Sequence, residues 1–301
     1  KDRIRQLCQC PDAMVEFLIG GTQTNVTACA FLTKPWEAVI SPATGHLNGH
    51  EVGAFEATGH KIIPVEVGPD GKLTPEMLPA VLEWHKDPHL TRPALVYISN
   101  ATENGTVYTK AELTALSDFC RANDLLLFVD GARLAAALTS DANDLTLPEF
   151  ARLVDAFYLG GTKNGTLFGE ALVITNPALK EGFRYFIKQH GGLLAKGRYL
   201  GIQFDVLFED DLYFTICKKA VEQSMAIRRA FEEKGIQLDS DSSTNQQFPI
   251  LTREQMDKLA QKYAYEIWEE YDSTHTVVRF CTSWATQDQN VQQLLEDIRA
   301  L

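Results

Sequence analysis

The sequence predicts an α/β fold, a mostly parallel sheet with flanking helices, followed by a smaller C-terminal α+β unit. Two observations carry this. Short apolar, β-branched runs recur at 38–43 (AVISPA), 61–67 (KIIPVEV), 93–100 (PALVYISN), 125–134 (LLLFVDGARL), 155–161 (DAFYLGG) and 170–175 (EALVIT). Runs of this length and composition mark strands buried on both faces. Between them lie segments with apolar residues at helical spacing, such as Thr109 to Asn123 with Leu113, Leu116, Phe119 and Cys120 on one face. Strand and helix therefore alternate, the pattern of a parallel sheet covered by helices.

The character changes after about residue 205. A charged amphipathic helix (218–235), a polar turn stretch (DSDSSTNQQ), a short strand FPILT, a helix REQMDKLAQKYA and a strand TVVRFCTSW follow in order. The expectation is a large α/β domain over 1–210 and a small α+β domain over 211–301, within the reach of a 301-residue chain of 45% hydrophobic composition.

The formal net charge of -12 comes without a basic patch, which argues against a nucleic-acid partner and for small-molecule chemistry. No run approaches the ~20 apolar residues of a membrane span, and KDRIRQLCQC lacks the apolar core of a signal peptide. Six scattered cysteines in a chain this long read as reduced thiols, hence a cytoplasmic location. Cys8 and Cys10 lack the second pair that a closed zinc site needs.

In open α/β sheets ligands collect where strands end and helices begin. Three such places carry polar groups. Gly20, Gly21 and Thr22 open the helical pattern TQTNVTACAFLT, where free N–H groups and the helix dipole favour a phosphate. Asp130 closes the strand LLLFVD, and Lys163, in YLGGTKNG, follows another apolar run. Each alone has an ordinary structural explanation: a capped helix start, an Asp capping the next helix, a snorkelling lysine. Together they supply a phosphate cup, an acid for a pyridinium nitrogen and an amine for an aldehyde, the set a pyridoxal-phosphate site requires.

The order GGTQTN, GHLNGHEVGAFEATG, FVDGAR, GGTKNG resembles the threonine aldolase and β-eliminating lyase family of fold-type I pyridoxal-phosphate enzymes, over nearly the whole chain. The FVDGAR and GGTKNG pair carries most of the specificity. The resemblance implies a seven-stranded, mostly parallel sheet of the transferase-like fold. It implies that Lys163 holds the cofactor as a Schiff base and that Asp130 pairs with the ring nitrogen. By the same match Gly21 and Thr22 would bind phosphate, Arg133 the phenolic oxygen, and His46, five residues before EVGA, would stack on the ring. Arg279 in TVVRFCTSW would grip the substrate α-carboxylate, a task suited to a guanidinium fork. A homodimer or homotetramer is implied as well.

The implied activity is cleavage of the Cα–Cβ bond of L-threonine or a related β-hydroxy amino acid to glycine and an aldehyde. Its rivals are β-elimination on the same scaffold and a non-catalytic pyridoxal-phosphate carrier. A Rossmann-type nucleotide site is disfavoured because GGTQTN lacks the glycine spacing. His46 and His50 at i, i+4 beside Glu51 offer two thirds of a metal site, but no third ligand follows, and no metal is expected. In GGLLAKGRYLG a basic residue of the family has two possible counterparts, Lys196 and Arg198.

Two departures stand out. Thr102, in NATENG, occupies the place where the family commonly carries a histidine near the substrate β-hydroxyl, so the proton acceptor falls to His46, Glu103 or a water. The phosphate motif arrives sooner than is usual, and the family's Ser-Asp segment has no counterpart, as an absent N-terminal arm would give.

Overall fold

The computed structural model describes residues 1–301. Seven strands form the main sheet: β1 (Met14–Leu18), β2 (Glu37–Pro42), β3 (Lys61–Val65), β4 (Arg92–Ser99), β5 (Leu126–Asp130), β6 (Ala156–Gly160) and β7 (Glu170–Ile174). Their order is β1-β7-β6-β5-β4-β2-β3. Only β7 runs against its neighbours, pairing antiparallel with both β1 and β6. The expected mostly parallel, seven-stranded sheet is what the chain forms.

Period-2 alternation explains why the strands read as unbroken apolar runs. One face carries Ile40, Val96, Ile98, Val129, Phe157 and Leu159 into one core; the other carries Val39, Leu95, Tyr97, Phe128, Tyr158 and Leu172 into a second. Both faces are covered by helices, so every position must be apolar or internally bonded. Each such large side chain contributes about 1.5–3 kcal/mol of burial.

The helix Lys110–Ala122 buries Leu113, Leu116, Ser117 and Cys120, close to the predicted face, with Phe119 half-buried. A capping box starts it: the Thr109 side chain accepts from the Glu112 amide while Glu112 bonds back to the Thr109 amide. The cap is worth about 1 kcal/mol.

A second sheet follows, made of β8 (Gln246–Gln247), β9 (Ile250–Thr252), β10 (Glu266–Glu270) and β11 (His275–Cys281). It is antiparallel, with β11 holding the other three. The helices Leu212–Glu233 and Asp288–Arg299 pack beside it.

Sequence reasoning passed over β1 and β10. Both are edge strands interrupted by charge: Glu16 sits in β1, and EIWEE in β10 is largely exposed. The run 125–134 is also shorter than expected. β5 ends at Asp130 and a helix begins at Leu134. The helix expected over 218–235 begins at Leu212, and the one expected to reach residue 264 stops at Leu259.

Candidate active site

The parallel strands end along one edge, and Gly21, Thr22, His46, Asp130, Arg133 and Lys163 lie at or just after those ends. β5 delivers Asp130 and β6 ends at Gly160, directly before the Lys163 loop. The two turns are pressed together. A Cβ on Gly131 would lie 1.6 Å from the Tyr158 carbonyl oxygen, and one on Gly160 would lie 2.5 Å from the Ala132 carbonyl oxygen. That contact is the physical reason for the glycines in FVDGAR and LGGTKNG. Asn164 completes the join, its side-chain amide donating to the carbonyls of Ala132 (2.9 Å) and Gly160 (2.8 Å).

Asp130 is buried and takes four hydrogen bonds. Tyr158 (2.5 Å) and the Ala132 amide (2.9 Å) donate to Oδ1; Tyr97 (2.6 Å) and Asn25 (2.8 Å) donate to Oδ2. Burial alone pushes the carboxyl pKa up. The bonds from Tyr158, Tyr97 and Ala132, with the field of His46, outweigh it and hold the pKa below its ordinary value. Both phenols stay protonated, because burial and the negative charge of Asp130 raise them well above the usual tyrosine range. No lysine, arginine or histidine forms an ion pair with Asp130.

Asn25 extends this network. It is buried on the helix Gly21–Leu32 and donates from Nδ2 to Asp130 Oδ2 and to Glu51 Oε1, each at 2.8 Å. Glu51, also buried, accepts from His46 Nδ1 at 3.0 Å. That bond raises the His46 pKa, burial lowers it, and the charges of Asp130, Glu103 and Glu51 add to the rise; the net shift is upward. The His46 and His50 rings lie 5.6 Å apart.

Lys163 lies three residues past β6 in the loop that joins it to β7, exposed over part of its side chain yet partly desolvated by the protein around it. Desolvation and the positive charge of Arg133 lower its pKa, against the pull of Glu103, Asp130 and Glu170. Arg133 is half-buried, and its side chain forms no hydrogen bond or ion pair, its buried Nε included. The helix Gly21–Leu32 presents its first turn to the same edge: Thr22 is exposed, and a Cβ on Gly20 would meet nothing within 4 Å.

Asp130 thus lies in the field of His46, and Lys163 in the fields of Arg133 and Asp130. Arg279 stands apart, reached through Trp268, whose ring is 4.8 Å from its guanidinium carbon and 6.3 Å from the His50 ring. Its guanidinium is engaged by Glu266 and by Gln246 Oε1. Thr102 is turned away: its hydroxyl bonds Asp70 O (3.2 Å) and Thr106 (2.8 Å). Lys196 and Arg198 are both exposed.

These residues fit pyridoxal phosphate. A buried carboxylate lacks a cation that a protonated ring nitrogen would supply, an unpartnered guanidinium awaits an anion, a helix N-terminus is open to phosphate, and an amine is poised to lose its proton.

Asn25, Tyr97, Tyr158 and Glu170 were not singled out from sequence as site residues, and Glu51 only as a neighbour of the His46 and His50 pair. Tyr97 and Tyr158 look like core aromatics in apolar strands. Asn25 carries a legible signal, three residues after Thr22 and so one turn along the same helix face.

A Pseudomonas sp. low specificity L-threonine aldolase is 32% identical to this chain, covering 100% of it and 86% of the relative. Among solved structures, Leishmania major threonine aldolase superposes with a TM-score of 0.97 at 45% identity, over 99% of this chain and 87% of the other. An Escherichia coli protein with a methionine aminotransferase function shares the fold at TM-score 0.74 and 14% identity, over 100% of this chain and 82% of the other. Residues 1–267 match the family described as Beta-eliminating lyase. The chain is a member of that pyridoxal-phosphate-dependent lyase family.

Proposed function

We propose that this chain is an aldehyde-lyase that cleaves the Cα–Cβ bond of L-threonine, or of a related β-hydroxy amino acid, to glycine and an aldehyde. The observation that carries the cofactor assignment is Asp130, a buried carboxylate with four donors and no cationic side chain, in the fields of Lys163 and His46. The aldolases among its relatives support the choice of substrate.

Pyridoxal phosphate, when bound, supplies an electron-accepting ring. The chain's own residues then divide the remaining work. Lys163 would hold the cofactor through its amine, and its lowered pKa favours the neutral form that this role requires. Asp130 would pair with the ring nitrogen, Gly21 and Thr22 would receive the phosphate, and Arg133 the phenolic oxygen. His46 would cover the ring, held from its other side by the bond between its Nδ1 and Glu51. Arg279 takes the substrate carboxylate, for which Glu266 must yield or share its guanidinium. With the Thr102 hydroxyl committed elsewhere, His46 and Glu103 are the side chains able to accept the β-hydroxyl proton.

Residues 1–210 and 211–301 form the large and small domains in this account. A second copy of the chain is the expected partner, seated on exposed apolar side chains that flank the Lys163 loop: Leu167, Phe168, Leu194, Tyr199, Ile202 and Val206. Six free cysteines suit a reducing compartment such as the cytoplasm. No helix is long and apolar enough to cross a membrane.

Product analysis tests the reaction. With L-threonine and pyridoxal phosphate the protein should release acetaldehyde and glycine in equal amounts. A keto acid with ammonia would point to β-elimination, and bound cofactor with neither product to a carrier.

A further inference from the structure

The mechanism above leaves one buried carboxyl beside the Lys163 loop unused. Glu170 opens β7, opposite Gly160 on β6 and Leu18 on β1. It is buried and belongs to no ion pair. Its Oε2 accepts from the Gly161 amide at 2.6 Å, and the Thr162 hydroxyl bonds it as well. Thr162 in turn accepts from the Gly169 amide at 3.1 Å. One carboxyl therefore ties together the two ends of the loop that carries Lys163.

The groups facing it are Asp130 from β5, Tyr158 from β6, Lys163 from the loop and Tyr213 from the helix Leu212–Glu233. Leu18, from β1, brings no charge. Tyr158 and Tyr213 stay neutral, so the charges that act on Glu170 are Asp130, which opposes its ionisation, and Lys163, which favours it. Burial pushes the carboxyl up to about 7, with the bonds from Gly161 and Thr162 working in the opposite direction.

We propose that Glu170 is a positioning residue that anchors the Lys163 loop and, by taking up or releasing a proton, adjusts how readily the Lys163 amine becomes neutral. This rests on Lys163 being the amine that captures the cofactor. Ionised, Glu170 favours the charged ammonium; protonated, it lets Lys163 shed its proton more easily. As the pH falls Glu170 gains a proton and offsets part of the loss of neutral amine. Cofactor capture would then persist to lower pH than a permanently ionised Glu170 would allow.

The test is the rate at which the full chain, stripped and remixed with pyridoxal phosphate, develops its visible band between about pH 5.5 and about pH 9. Glu170→Gln keeps an acceptor for the Gly161 amide but holds no charge. The two profiles should coincide below neutrality and separate above it, with Glu170→Gln faster on the order of fivefold. Thr162→Val removes a bond to the ionised carboxyl and should move the wild-type inflection to higher pH, which decides the matter if Glu170→Gln does not fold. Superimposable profiles for wild type and Glu170→Gln, or an inflection unmoved in Thr162→Val, would overturn the inference alone. No band in wild type would overturn the assignment of Lys163, and this inference with it.

Discussion

Asp130 and Glu51 accept from the same side-chain amide, Asn25 Nδ2, each at 2.8 Å. A single buried asparagine thereby couples the acid assigned to the cofactor ring nitrogen with the acid that holds His46. Neither carboxylate can move or change charge without the other being affected.

The first consequence concerns His46. Removing the Glu51 charge in Glu51→Gln should lower the His46 pKa toward its ordinary value, read from the imidazole proton resonances. Because the folded pKa is raised, the His46–Glu51 bond stabilises the protein fully below about pH 6.5 and is lost as the pH rises through the folded value. Glu51→Ala strands the buried amide of Asn25 and the half-buried ring of His46 and should cost about 1–3 kcal/mol in denaturant unfolding.

Asp130 has the opposite sign. Its folded pKa is depressed, so its contribution is present above about pH 3.9 and disappears as the pH falls through the folded value. Asp130→Ala leaves the donors of Tyr158, Tyr97, Asn25 and Ala132 facing one another, and should cost about 3 kcal/mol or more at neutral pH. Tyr158→Phe removes a single charged bond and should cost about 1.5–3 kcal/mol by the same measurement.

Gly160→Ala tests the contact between the two turns. A methyl group 2.5 Å from the Ala132 carbonyl oxygen forces the backbone apart. We expect a loss of ~2–4 kcal/mol in stability together with weakened cofactor retention. By contrast Gly182→Ala, where a Cβ meets nothing within 4 Å but φ is +82°, should lose only about 1 kcal/mol and keep cofactor.

Ile202 is half exposed on the helix Arg198–Leu207, near the stacked rings of Phe168 and Tyr199. If this face receives a second copy, Ile202→Glu should shift the sedimentation coefficient toward that of a single chain. An unchanged coefficient would move the interface elsewhere.

The sheet was legible because β2, β4, β5 and β6 are buried on both faces and carry polar residues such as Glu37, Arg92, Ser99 and Asp130 only near their ends. β1 and β10 lie at sheet edges, where Glu16 and the glutamates of EIWEE are tolerated, so their periodicity is diluted. Asp130 and Lys163 could be read because a charge directly after an apolar strand is conspicuous. The support around them could not. Tyr97 and Tyr158 announce burial rather than hydrogen bonding, and the pairing of Asn25 with Glu51 spans 26 residues that only the folded chain brings together. Arg279 was read for its carboxylate grip, while its bond to Glu266 follows from the β10–β11 register, which required recognising β10 as a strand.

The most direct test of the account is the visible absorbance of the purified protein with pyridoxal phosphate, compared with Lys163→Ala at equal concentration. We predict a band from the lysine-linked cofactor in the wild type that is absent from Lys163→Ala, with the folded state of both confirmed by circular dichroism. An equal band in Lys163→Ala, or none in either protein, would contradict the assignment of this edge of the sheet as a pyridoxal-phosphate site.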